Sequence, residues 1–152
     1  MTKDISSLDK KIAILIVDDD PLILDVLRIN VERFIGNDTE VVCASSGDEA
    51  LDVISVMLEE NEYYIGLIIS DFIMPKMLGT EFLLKAQELV PTAKKMMLTG
   101  QADSEKVIGL LCEMEMFRFV TKPWNPQILI SNVRKALEEY AYVKSLELKV
   151  KE

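Results

Sequence analysis

Four short apolar runs in this chain each end in polar residues that could do chemistry. The runs 12–17, 65–69, 96–98 and 117–120 lead, in that order, into Asp18-Asp19-Asp20, Ser70-Asp71, Thr99-Gly100 and Thr121-Lys122-Pro123. If the runs are parallel strands, their carboxyl ends share one edge of a sheet, where ligands of such folds bind. An acid cluster, a single aspartate, a hydroxyl and a lysine would then converge. Together they could bind a divalent cation and move a phosphoryl group onto a carboxylate.

Each residue type has its own task in that chemistry. A carboxylate such as Asp71 is a poor nucleophile, but it can accept a phosphoryl group whose charge is neutralised. Magnesium prefers oxygen ligands and would relieve the repulsion among Asp18, Asp19 and Asp71. The Thr99 hydroxyl could donate to a phosphoryl oxygen, and the Lys122 ammonium could contact the carboxylate and then the phosphoryl group. Taken singly, Asp71 could equally cap a turn, and Thr99 could simply end a strand.

Prolines and glycines fall between the periodic segments and delimit the elements that position these side chains. Strands are predicted at 12–17, 40–44, 65–70, 94–98 and 117–120, alternating with helices at 21–34, 47–60, 80–89, 104–114 and 126–150. Asp20 is predicted to be the N-cap of the first helix, because Pro21 suits the first helical position. Unbroken apolar strands and right-handed crossovers predict an α/β fold with helices on both faces of a parallel sheet.

The helical periodicity also predicts which side chains face the sheet. These are Leu22, Val26, Ile29 and Phe34 in the first helix, Ala50, Leu51, Ile54 and Leu58 in the second, and Ile128, Leu129, Val133 and Leu137 in the last. The last helix is longer than such a fold needs. Its second half is either a solvated tail or a signalling helix that pairs with a second copy or leads into a downstream module.

Size and composition indicate a single globular domain. The chain has 152 residues, of which 49% are hydrophobic and 28% charged, enough to bury a core. No apolar run reaches ~18 residues, so we expect no membrane-spanning helix. Residues 1–10 do not resemble a secretory signal and are predicted to be a disordered lead-in. We expect the domain at 11–138 and a helical extension or linker at 139–152.

Charge and residue usage exclude several classes of site. A formal net charge of −9 argues against direct binding of nucleic acid. Cys43 and Cys112 fit no metal-ligand spacing, and we interpret both as small core residues in a reducing compartment, which favours the cytoplasm. The chain contains no histidine. This excludes histidine-based triads, histidine metal sites and a phosphodonor histidine within the chain.

Four segments of the chain form a recognisable set: VDDDP at 17–21, DFIMPKMLG at 71–79, LTG at 98–100 and FVTKP at 119–123. Together they resemble the receiver (phosphoacceptor) domain of two-component response regulators. The resemblance covers about residues 11–138 and implies a flavodoxin-like doubly wound (βα)5 sandwich with strand order 2-1-3-4-5 and an extended C-terminal helix. It further implies that Asp71 accepts a phosphoryl group from a histidine kinase or histidine phosphotransfer protein, in a reaction dependent on Mg²⁺, with Mn²⁺ as a substitute.

The resemblance also suggests the metal ligands. Asp19 would bind the metal directly, Asp18 largely through water, and the backbone carbonyl of Ile73 would complete the protein ligands. The Lys122-Pro123 bond is commonly cis in receivers, although the sequence alone does not show the isomer.

Three further positions take roles from the family. Phe119 occupies the place of the switch aromatic, which turns inward when the Thr99 hydroxyl swings toward the phosphoryl group; an ordinary core phenylalanine is the alternative. Ile73 and Gln101 would flank the path of the water that hydrolyses the acyl phosphate. The bulky Ile73 therefore predicts slow autodephosphorylation.

In this interpretation the output is a protein contact and not turnover of a small molecule. The switched surface would comprise the fourth helix, fifth strand and fifth helix, and a homodimer could form there or through the C-terminal helix. Trp124 either packs or marks a docking surface.

Three other classes fit the sequence less well. A phosphatase of the haloacid-dehalogenase type needs a second aspartate where Ile73 stands. A receiver used only for binding would not need its full set of reactive residues. A nucleotide-binding protein would carry a glycine-rich loop after the first strand.

Overall fold

The computed structural model describes residues 8–100, 116 and 118–151 of the chain. Its strands are β1 (Lys11–Val17), β2 (Thr39–Ala44), β3 (Tyr63–Asp71), β4 (Lys94–Thr99) and β5 (Arg118–Thr121). Its helices are α1 (Pro21–Glu32), α2 (Gly47–Glu60), α3 (Gly79–Leu89) and the C-terminal helix (Pro126–Lys151). The predicted helix at 104–114, Gln101 and Cys112 lie outside the described residues.

The five strands form one parallel sheet in the order β2-β1-β3-β4-β5. This confirms the predicted doubly wound, flavodoxin-like α/β fold. Val17 pairs with Ser70, Asp71 with Leu98, and Thr99 with Thr121. The strands therefore end level with one another, and the residues that follow them share one edge of the sheet.

Helices cover both faces of the sheet, because the central strands are apolar on both sides. Residues 12–17 of β1 have no exposed surface. One core cluster joins the sheet to α2 and α3 through residues such as Ile54 and Phe82. The other joins it to α1 and the C-terminal helix through residues such as Leu27 and Val133. Cys43 is partly buried against the second cluster. No helix in the described part of the chain is both long and apolar enough to cross a membrane.

The predicted buried face of α1 was wrong. Leu22, Val26, Ile29 and Phe34 are all exposed, and Leu27 and Val31 are buried instead. The helix also ends at Glu32 and not at residue 34. Apolar residues lie around most of the circumference of α1, so the periodicity fits more than one face. Packing against the sheet selects one of them and leaves a second apolar face in solvent.

Two single positions were also assigned to the wrong face. Leu58 is exposed, and Met57 packs against the core in its place. Ile128 is exposed too, whereas its neighbour Leu129 is fully buried. In both cases the residue next to the predicted one contacts the core. The other core residues predicted in these two helices are buried or packed against the core.

The C-terminal helix keeps packing beyond residue 138. Tyr140 is 4% exposed and Ala141 fully buried. The register of β3 against β1 shifts at Gly66, and a β-carbon there would lie 3.0 Å from the ring of Tyr140. Ile12 Cγ2 would lie nearer still, at 2.7 Å, so the missing side chain of Gly66 leaves space that Ile12 and the Tyr140 ring share.

Tyr64 ties both ends of the described chain to the sheet. Its hydroxyl donates to Asp9 over 2.6 Å, and the Lys144 ammonium lies 4.5 Å from its ring centroid. Leu8 packs against the core, so residues 8–10 contact the domain. An apolar stripe on the other side of the C-terminal helix faces solvent, comprising Tyr142, Val143, Leu146 and Val150.

Candidate functional site

Three hydrogen bonds hold the acidic loop that follows β1. The N–H of Asp18 donates to the Ala44 carbonyl over 3.2 Å, which continues the pairing of β1 with β2. Asp18 Oδ1 accepts from the Asp20 N–H over 2.9 Å. Asp20 Oδ1 accepts from the Leu22 N–H over 3.0 Å, so Asp20 is the N-cap of α1, as predicted. Asp18 and Asp19 are thereby fixed between the end of β1 and the start of α1.

Asp71 ends β3, and the loop behind it folds back tightly. Asp71 Oδ1 accepts from the Phe72 N–H over 2.9 Å. The Gly79 N–H donates to the Phe72 carbonyl over 2.7 Å, which closes the loop. Phe72, Met74 and Met77 are buried beneath it. The loop is therefore anchored by apolar side chains and holds the Asp71 carboxylate at the sheet edge.

Three carboxylates meet at this edge. Asp18, Asp19 and Asp71 each offer an oxygen, and these oxygens all lie within 4.8 Å of one another. Asp18 and Asp71 are buried and Asp19 is exposed. A purely oxygen donor set suits a hard divalent cation such as Mg²⁺. The residues present therefore fit the metal that the sequence predicted.

Lys122 connects the two buried carboxylates. Its Nζ lies 3.0 Å from Asp71 Oδ1 and 3.1 Å from Asp18 Oδ2. Its backbone N–H donates to the Thr99 carbonyl over 2.7 Å, which sets the end of β5 beside β4. The Lys122-Pro123 peptide bond is cis. The predicted lysine thus contacts the predicted phosphoacceptor directly.

Burial and charge act against each other at this pair. Burial raises the pKa of Asp71, and the negative charge of Asp18 adds to the effect; the ammonium of Lys122 and the Phe72 N–H oppose it. Burial alone would lower the pKa of Lys122, but hydrogen bonding and the charges of Asp71 and Asp18 outweigh it and raise that pKa. Two buried carboxylates share one ammonium, so negative charge dominates this part of the site.

The remaining predicted residues lie around this centre. Thr99 is buried at the end of β4, next to the strand that carries Asp71. The Ile73 side chain is 53% exposed and that of Phe119 is 41% exposed. Gln101 lies outside the described residues.

Sequence reasoning missed a groove beside the site. It has a volume of about 530 Å³, and its lining consists of Leu22, Ile23, Val26, Asn30, Lys122, Pro123, Trp124 and Pro126. At its wall, Trp124 Nε1 donates to Asn30 Oδ1 over 3.0 Å. The signal that could have found this groove is the excess of apolar residues in α1 over those that one buried face needs.

A doubly wound parallel sheet with acids, a hydroxyl and a lysine at its carboxyl edge is the arrangement of a receiver domain. The chain belongs to the response regulator receiver domain family, whose model matches residues 14–134. Accepting a phosphoryl group in two-component signalling is the function of that family.

Individual relatives agree with this assignment. The chain is 33% identical over 130 residues to the hydrogenase transcriptional regulatory protein HoxA of Cupriavidus necator. The aligned region covers 86% of this chain and 25% of HoxA. The chain is similar in structure to an adenylate cyclase from Rhodopirellula baltica, with a TM-score of 0.78, 31% identity, and coverage of 92% of this chain and 97% of that one. It is also similar to a CheY-like receiver domain protein from Methanospirillum hungatei, with a TM-score of 0.71 and 33% identity. That match covers 87% of this chain and 97% of the other. The chain thus spans about a quarter of the length of the HoxA proteins.

Proposed function

We propose that Asp71 of this receiver accepts a phosphoryl group from the phosphohistidine of a histidine kinase or histidine phosphotransfer protein, and that the modified domain switches a protein-interaction surface. The observation that supports the proposal most strongly is the contact of the Lys122 ammonium with both Asp71 and Asp18, at 3.0 and 3.1 Å. This ammonium lies where negative charge would accumulate during transfer to Asp71.

The transfer itself is a displacement at phosphorus. A carboxylate oxygen of Asp71 forms the new O–P bond while the P–N bond to the donor imidazole breaks, and the imidazole keeps that electron pair. Lys122 offsets charge on the phosphoryl oxygens throughout. Thr99 would donate its hydroxyl to one of these oxygens.

The acid cluster would hold the metal. Asp19 would bind it directly, Asp18 largely through water, and Asp71 and the backbone carbonyl of Ile73 would complete the protein ligands. When bound, Mg²⁺, or Mn²⁺ in its place, offsets the charge of the phosphoryl group and of the carboxylates.

The groove beside the site would receive the protein that donates the phosphoryl group. Leu22 is 76% exposed and Val26 is 50% exposed on the groove side of α1. Lys122 lines the groove as well as contacting Asp71. An apolar surface of the donor that lies here would therefore bring its phosphohistidine close to the acceptor.

Phosphorylation would change the surface around β5. Thr99 is buried and Phe119 is partly exposed, so movement of the hydroxyl toward the phosphoryl group would open space for the aromatic ring to turn inward. The affected surface comprises the predicted fourth helix, β5 and the C-terminal helix. Its output is a protein contact, without turnover of a small molecule.

The switched surface would serve a second copy of the chain or a downstream module. The exposed stripe on the C-terminal helix, defined above, is a further surface for either partner. Relatives such as HoxA are transcriptional regulators, which favours a separate output module.

The net charge of −9 makes nucleic acid a poor direct partner for this domain. We place the protein in the cytoplasm and not in a membrane.

The proposal is tested by intact mass spectrometry after incubation with acetyl phosphate and Mg²⁺. The native chain should gain the mass of one phosphoryl group, Asp71→Asn should gain none, and Asp20→Asn should behave as the native chain because asparagine also caps helices. Equal labelling of the native chain and Asp71→Asn would refute the assignment of the acceptor. No labelling of the native chain would indicate a receiver used only for binding.

Size-exclusion chromatography with and without beryllofluoride then tests whether the switched form dimerises.

A further inference from the structure

The hydrogen bond between Trp124 and Asn30 joins two distant segments of the chain. The two residues are 94 positions apart, and their side chains meet over 3.0 Å. Asn30 lies near the end of α1, and Trp124 lies in the loop between β5 and the C-terminal helix. Both are half-buried, and the indole packs against the core. Loss of a partly buried hydrogen bond has a free-energy cost, because the groups left behind are poorly solvated.

The loop that carries Trp124 also carries Lys122. Its start is fixed by the bond from the Lys122 N–H to the Thr99 carbonyl, over 2.7 Å. Its end is fixed by Asn125, whose Oδ1 accepts from the N–H groups of Gln127 and Ile128 and caps the C-terminal helix. Between these two points, the indole of Trp124 ties the loop sideways to α1.

Lys122 borders the same groove as this hydrogen bond. Lys122, Trp124 and Asn30 all line the groove, and the ammonium at the end of the lysine stem contacts Asp18 and Asp71. A lysine has a long flexible stem, so the position of its charge depends on the surface beside that stem. A shift of the Trp124 wall would therefore change how often the ammonium lies between the two carboxylates.

We infer that Asn30 and Trp124 are positioning residues for phosphoryl transfer. Their hydrogen bond holds the Lys122–Asn125 loop against α1 and keeps the Lys122 ammonium in its bridging position. Neither residue touches the phosphoryl group. This inference rests on the proposed function, because it requires Lys122 to act in the transfer.

The test measures the initial rate of phosphorylation by acetyl phosphate, a donor too small to need the groove. Asn30→Leu removes the acceptor, and Trp124→Phe removes the donor but keeps an aromatic ring. Each should lower the rate roughly five-fold, the effect of one ordinary hydrogen bond. Asn30→Asp keeps an acceptor for the indole N–H and should restore the rate to within about two-fold of the native value. Ile29→Ala, on the exposed side of α1 outside the groove, is the matched control.

The double variant separates a shared role from two independent ones. If the residues act through one bond, Asn30→Leu with Trp124→Phe should be no slower than either single variant. The inference would be overturned if the rate of the double variant fell by the product of the two factors found for the single variants. So would rates within about two-fold of native for both single variants, when Lys122→Met slows labelling strongly. If Lys122→Met labels at the native rate, Lys122 has no part in the transfer and the inference fails with it; labelling of Asp71→Asn at the native rate would instead refute the proposed function.

A spectroscopic measurement distinguishes positioning from a merely structural role. Trp124 is the only tryptophan of the chain, so its fluorescence can follow beryllofluoride binding in the presence of Mg²⁺. Asn30→Leu should weaken that binding roughly five-fold, and Asn30→Asp should restore it. Unchanged affinity in a folded Asn30→Leu protein would contradict the inference. Should Asn30→Leu fail to fold, the labelling rate of Trp124→Phe decides.

Discussion

A β-carbon on Gly79 would overlap the backbone carbonyl oxygen of Asp71. The Gly79 N–H also donates to the next carbonyl, that of Phe72, over 2.7 Å. The first residue of α3 therefore lies directly against the end of β3, and only glycine fits there. The loop that carries the proposed phosphoacceptor depends on this approach.

Gly79→Ala should destabilise the protein by at least about 2 kcal/mol, because the added methyl group must push the loop away from β3. It should also slow labelling of Asp71 by acetyl phosphate. Urea unfolding and intact mass report the two effects. Gly36→Ala is the control, since nothing lies within 4 Å of a β-carbon there. Equal stability of the two variants would show that the loop tolerates the side chain.

Lys122→Met should lower the rate of Asp71 phosphorylation by about a hundred-fold or more, because it removes the positive charge that lies 3.0 Å from Asp71 Oδ1. Lys85→Met removes the exposed partner of Glu81 and should leave the rate unchanged. Labelling with acetyl phosphate at saturating Mg²⁺ compares the two. A rate for Lys122→Met close to native would remove the ammonium from the mechanism.

Mg²⁺ should stabilise the folded protein through the acid cluster. At about a hundred-fold excess over its dissociation constant we expect a rise of the melting temperature of roughly 5 °C or more. Asp19→Asn should reduce this rise, and chelation with EDTA should reverse it. Asp20→Asn keeps the helix cap and should respond to Mg²⁺ as the native chain does. An equal rise in Asp19→Asn and the native chain would exclude Asp19 as a ligand.

Ile73→Asn should shorten the lifetime of the phosphorylated form by roughly ten-fold, because an amide can orient the attacking water and a branched alkyl group cannot. Leu78→Asn alters another exposed apolar residue of the same loop and serves as the control. The decay of the phosphorylated mass after removal of the donor measures the lifetime. Faster decay of the native chain than of Ile73→Asn would contradict the role given to Ile73.

Ionisation of the Tyr140 phenol should lower the free energy of unfolding at alkaline pH. Burial raises the pKa of Tyr140 from 10.0 to about 12, although a bond to Thr92 opposes the shift. The folded state therefore favours the neutral phenol, and its contribution is complete below pH 10.0 and is lost as pH rises toward about 12. This loss is of the order of 2 to 3 kcal/mol. Urea unfolding of Tyr140→Phe should show a shallower decline over that range, and parallel curves for the two proteins would contradict the assignment.

The sequence predicted the sheet and the acid cluster because their signals are local. The first and third strands are unbroken apolar runs, and glycine or proline follows close behind the polar residue that ends each strand. Parallel strands that end level bring Asp18, Asp71 and Lys122 to one edge without any knowledge of loop conformation. The topology therefore explains why these three side chains lie at the same edge of the sheet.

Features that depend on distant partners could not be predicted. The face that α1 presents to the sheet is selected by packing, since Leu22 and Leu27 are equally apolar. The bond between Asn30 and Trp124 joins residues that no local pattern relates. The hollow at Gly66 arises where β3 shifts its register against β1, and only the structure shows that Ile12 and Tyr140 fill it.

The hollow at Gly66 also bears on where the chain can be shortened. A deletion that removes everything after residue 138 would take away the Tyr140 ring and leave bare backbone in the middle of the sheet open to water. Fusion proteins and truncations meant to keep a native receiver should therefore retain the helix at least through the buried Ala141, beyond residue 134, where the match to the family model ends.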